Sequence, residues 1–176
     1  MRRLLFLAAI MISYCTSAQN SLKPATANMQ ASSHKPVVLS VQEAEKSGRL
    51  DSLHKQQKLL DSLYESAVHV DLSKSVFKTD TEKQVMGEAY ERFLQEFGDY
   101  LHKNKFHWQR PTRFWHRFYF ARDGSVDYYI YNSAEFSLTK AVRYKELFTS
   151  FAATHKIAVT APTGFAQCGH VTFKEK

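Results

Sequence analysis

The sequence predicts an α+β fold: a small three-stranded sheet based on an antiparallel hairpin, with two amphipathic helices packed on one face and another helix before them. Three observations predict it. Residues 86–101 place large apolar side chains at three- and four-residue steps, residues 113–132 alternate around an Asp-Gly turn, and residues 138–154 return to the helical period.

Residues 1–18 read as a secretory signal peptide. Arg2 and Arg3 supply its charged end and Leu4 to Tyr14 its apolar run. Thr16, Ser17 and Ala18 are the small residues of a cleavage site between Ala18 and Gln19. The run is about half of the roughly 20 residues that span a bilayer, so the mature chain is expected to lack a transmembrane anchor and to be periplasmic or secreted. Tyr14 stands where a lipobox needs a small residue, which argues against lipidation of Cys15. Cleavage removes two basic residues and no acidic one, taking the formal charge from +7 to +5. That excess suits either solubility or contact with an acidic surface. Export disfavours nucleic acid as a partner and leaves an envelope protein or a polysaccharide. Cys15 departs with the signal, so Cys168 has no intramolecular partner and the core must hold the fold.

Residues 19–40, rich in Ser, Ala, Asn, Lys and Pro, cannot bury enough surface to offset their ordering entropy and read as a disordered tether. Residues 41–70 form an amphipathic helix whose narrow stripe is Leu50, Leu53, Leu60, Tyr64 and Ala67. It either lies solvated on the domain or forms a short coiled-coil seam with a partner. The α+β domain occupies residues 79–176. Its first helix begins at a capping box, Thr79 with Glu82 or Thr81 with Gln84, and buries Met86, Ala89, Tyr90, Phe93, Leu94, Phe97, Tyr100 and Leu101.

The hairpin pairs residues 113–121 with 125–132. A three-residue loop closing Ala121 on Ser125, with Gly124 left-handed, sets Phe120 opposite Val126, Phe118 opposite Tyr128 and His116 opposite Ile130. Trp115, Arg117, Tyr119, Asp127, Tyr129 and Tyr131 then share the outer face. The next helix, about 138–154, has Ala141, Tyr144, Leu147, Phe148, Phe151 and Ala152 as its core stripe. Ile157 to Ala161 reads as a short strand, Pro162-Thr163-Gly164 breaks it, and Phe165 to Phe173 is the final strand.

Phe118-Tyr119-Phe120-Ala121-Arg122-Asp123-Gly124-Ser125-Val126, followed by a helix and by Gly169-His170-Val171-Thr172-Phe173, resembles the C-terminal domain of TonB-type energy transducers over about the last 65 residues. The resemblance implies that fold and an envelope setting. Energy transduction is not implied, because the uncleaved anchor and long Pro-rich spacer of such transducers have no counterpart in this reading.

Sequence motifs give no catalytic assignment. GxSxG, the P-loop and GxGxxG are missing, and the eight histidines show no metal-ligand spacing, so no metal and no cofactor is expected. Cys168 and His170 share one strand face, at about 7 Å. The favoured function is an exported, non-catalytic interaction module that binds an envelope protein or glycan through a basic and aromatic sheet face. The residues singled out are Arg113, Trp115, Arg117, Tyr119, Tyr129 and Tyr131, with Arg110 beside them, since aromatic and Arg side chains are frequent interface anchors. The alternative is a small hydrolase-like or thiol-dependent envelope enzyme with Cys168 and His170 near its site.

Overall fold

The computed structural model describes residues 35–134 and 136–175. The expected signal peptide, its Ala18–Gln19 cleavage point and the tether as far as residue 34 lie outside them. The strands are β1 (Val37–Ser40), β2 (Glu65–Ser66), β3 (Thr112–Phe120), β4 (Val126–Asn132) and β5 (Phe165–Phe173). The helices are α1 (Val41–Lys46), α2 (Leu50–Leu63), α3 (Asp80–Lys103) and α4 (Leu138–Ala152).

The sheet is five-stranded and mixed, in the order β1-β4-β3-β5-β2, which corrects the expected three-stranded antiparallel sheet. Central β3 is antiparallel to both neighbours, whereas β1 runs parallel to β4 and β2 parallel to β5. Both added strands lie at the edges. β1 falls within the stretch read as a tether: Val38 is buried and Leu39 half-buried against the sheet, a gain that its Ser- and Lys-rich surroundings conceal.

Residues 41–70 are also more than one helix. Gly48, at φ +67°, separates α1 from α2, and the chain after Tyr64 turns into β2. The narrow stripe of α2 is real: Leu53 and Leu60 are its buried residues. They pack on Tyr119, Ile130 and Ala166, the outer face of the sheet. On the other face α3 and α4 bring Phe93, Phe97, Tyr144, Phe148 and Phe151 onto Phe118, Phe120, Tyr129 and Tyr131. The sheet is thus covered by helices on both sides.

Local chemistry fixes the long elements. Thr79 is the N-cap of α3: its side chain accepts from the Glu82 backbone N–H, and the Glu82 carboxylate accepts from the Thr79 N–H. This reciprocal pair satisfies donors that a helix start otherwise leaves bare. Ser137 caps α4 through the Lys140 N–H. In the hairpin loop, the Ala121 N–H donates to the Ser125 carbonyl at 2.8 Å and Gly124 takes φ +82°, as expected.

Beyond the loop the expected register fails. Phe120 faces Val126, but Tyr119 faces Tyr128, Phe118 faces Tyr129 and His116 faces Tyr131. Asp127 is the extra residue of a bulge, and one extra residue sends every later side chain of β4 to the opposite face. Residues 157–161 form no strand either. They line the hairpin loop, with the Ile157 N–H on the Gly124 carbonyl and the Ala161 N–H on the Arg122 carbonyl.

Candidate outer-face site

The outer face of β3 carries Arg113, Trp115, Arg117 and Tyr119 at every second position, and α2 covers only one end of that row. Tyr119 is fully buried beneath it. Burial, together with the hydrogen bond its hydroxyl donates to Asp61, pushes the Tyr119 phenol well above its ordinary pKa. Arg117 is partly buried, and its guanidinium makes an ion pair with Asp61 at 2.7 Å. From there the face opens: Trp115 is half-buried and Arg113 exposed.

Pairing with β5 completes the open end. Cys168 stands opposite Arg117, His170 opposite Trp115 and Thr172 opposite Arg113. On the other side Asn132 stands opposite Trp115. Directly opposed residues share a face, so Asn132, Trp115 and His170 form a row across three strands. A hollow of about 570 Å³ opens beside them, its walls including Arg113, Trp115, Asn132, Ser133 and His170. Among the described residues the side chains of Arg113, Asn132 and His170 make no hydrogen bond or ion pair. Ser133 is 1% exposed, and its Oγ has no hydrogen-bond partner.

Of the six residues the sequence singles out, two therefore meet at the open end, Arg113 and Trp115, while Arg117 shares their face but is held by Asp61 toward the covered end. The other three do not reach the open face. Tyr129 and Tyr131 lie on the opposite face and are fully buried under α3 and α4, because the Asp127 bulge reverses them. The Tyr129 hydroxyl pairs with that of Tyr144 at 2.8 Å, and that of Tyr131 donates to the Ala141 carbonyl. Tyr119 is on the expected face but lies beneath α2.

Asn132, Ser133 and Asp61 were not foreseen. The bulge is what turns Asn132 toward the outer face, so a straight hairpin register could not show it. Cys168 and His170, read from the sequence as a separate thiol–imidazole pair, instead extend the same surface. Cys168 is exposed and free. Behind the sheet, His116 is buried, its Nε2 2.7 Å from the Tyr90 hydroxyl. Burial, with a smaller effect from His170, pushes its pKa down to about 3, so the imidazole is neutral near pH 7.

Among the described residues no group of three or more His, Cys, Asp or Glu side chains could hold a metal ion, and no helix is long and apolar enough to cross a membrane. Neither a protein-family model, nor a curated protein, nor a solved structure matches the chain.

Proposed function

We propose that the protein is an exported, non-catalytic interaction module that holds an envelope protein or polysaccharide at the open end of its outer sheet face. The observation that carries this is the convergence of Arg113, Trp115, Asn132 and His170 around one hollow on the open part of the face. Aromatic and Arg residues at an unclosed concavity are the usual anchors of recognition. Export rests on the charged, apolar and small-residue order of residues 1–18, and an envelope setting agrees with the resemblance to TonB-type C-terminal domains.

The test is retention of envelope components on immobilised protein, compared between the native chain and an Arg113→Ala, His170→Ala double variant. Both residues are exposed, so the melting temperature is expected to stay within about 2 °C while specific retention is lost. Unchanged retention by the variant overturns the assignment. Cys168→Ser is expected to retain its partner; a turnover activity abolished by that substitution in folded protein points instead to the thiol enzyme.

A further inference from the structure

The hollow beside Trp115 supports a narrower assignment of ligand class, which rests on the binding role proposed above. It lies at the Thr112 end of β3, where Trp115 to Phe120 pair with strands on both sides but Thr112 to Phe114 pair with β5 alone. The side chains around it are what select a ligand class.

Those side chains have a definite chemistry. Among the described residues that line the hollow Arg113 is the cationic one and none is Asp or Glu; its planar guanidinium matches a carboxylate through two parallel hydrogen bonds. The indole of Trp115 offers a flat apolar surface with a polar edge. Asn132 and His170 flank it across the strands and supply an amide and an imidazole, which both donate and accept hydrogen bonds. The buried Oγ of Ser133, at the wall, is without a partner, and a buried hydroxyl in that condition is uncommon. A space of about 570 Å³ falls within the range of small-ligand sites and has room for a short saccharide.

We infer that this hollow binds an acidic saccharide, with a carboxylate on Arg113, a sugar ring against Trp115, and ring hydroxyls meeting Asn132 and His170. A purely apolar anchor would leave the amide and imidazole desolvated without partners. A cation would meet the like charge of Arg113.

The experiment is calorimetric titration of the purified protein with a galacturonic acid trimer. Its methyl ester and a neutral glucose trimer serve as controls. The acid is expected to bind, with the ester and the glucose trimer weaker by about tenfold or more. Arg113→Gln should weaken the acid to the level of the ester, and His170→Ala should weaken acid and ester alike. Both variants change exposed residues, and thermal melting checks that they remain folded. Failure of the acid to bind, equal binding of acid and ester, or indifference to Arg113→Gln overturns the inference. So does equal or tighter binding of a short peptide with a free C-terminal carboxylate, or of phosphatidylglycerol vesicles. If envelope retention still depends on Arg113 and His170 while the acid does not bind, only the saccharide class falls. If that dependence is also missing, the binding role falls with it.

Discussion

Asp61 Oδ1 lies 2.7 Å from the Tyr119 hydroxyl, which donates to it, and the same oxygen receives Arg117 at 2.7 Å. One carboxylate near the end of α2 thus fastens that helix to the buried tyrosine and also draws the Arg117 side chain toward the covered end of the face. Asp61→Ala leaves a buried phenol without its acceptor and releases the guanidinium. Urea unfolding is expected to show a loss of about 1–2 kcal/mol, since a charge-assisted hydrogen bond contributes more than a neutral one but the ion pair is partly solvated. Asp61→Asn keeps an acceptor for Tyr119 and should recover about half of the loss. A change below about 0.5 kcal/mol in the Ala variant means that Leu53 and Leu60 hold α2 unaided.

Gly124 combines a left-handed backbone with crowding. A Cβ there would stand 2.3 Å from the Ile157 carbonyl oxygen and 2.9 Å from that of Val159. Both neighbours are backbone, and the Ile157 N–H is itself bonded to the Gly124 carbonyl. Gly124→Ala is therefore expected to cost about 2–4 kcal/mol, above the strain of a positive φ alone. Thermal denaturation measures it, and a neutral variant would mean the loop is not packed as described.

The hydroxyls of Tyr129 and Tyr144 satisfy each other in a fully buried place. Replacing either by Phe strands the other, at about 1–3 kcal/mol, whereas replacing both removes the stranded group. The double variant is expected to lie well above the sum of the two singles in stability. Strict additivity in a double-mutant cycle contradicts the pairing.

His116 gives the fold a sensitivity to acid. Its folded pKa is pushed from 6.5 down to about 3, first by burial and then by His170, so the unfolded chain takes up a proton that the folded chain refuses. The contribution of the neutral imidazole is fully present above about pH 6.5 and declines by about 1.4 kcal/mol per pH unit until about pH 3. His116→Gln lacks this titration. Its stability deficit relative to the native protein at pH 7 should shrink steadily by pH 4, measured by urea unfolding across that range. A constant deficit rules the mechanism out.

What could be read in advance follows from the range of the interactions. The aromatic stripes of α3 and α4, the Thr79 cap and the Gly124 turn are set within a few residues of one another, and all are visible as periodicity or capping pattern. β1 and β2 have four residues and two, too few to show alternation, and their partners lie far along the chain. The bulge left no trace because Tyr128, Tyr129 and Tyr131 read as apolar on either face. The candidate surface was legible on β3, where Arg113 and Trp115 alternate with phenylalanines. It was illegible on β4 for the same reason as the bulge, and the extent of cover by α2 depended on a helix whose stripe was clear but whose partner was not.

The edges of the sheet also set an order of assembly. Val37 must wait for Tyr128 and Glu65 for Phe165, separations of about 90 to 100 residues, whereas the hairpin closes across a few. During synthesis, then, the earliest strands emerge with nothing to join. Until residues 165–173 are made, β2 lacks its partner strand and β3 is bare along one side. A chain arrested before residue 165 would therefore lack an inner strand of the sheet, however complete its hairpin.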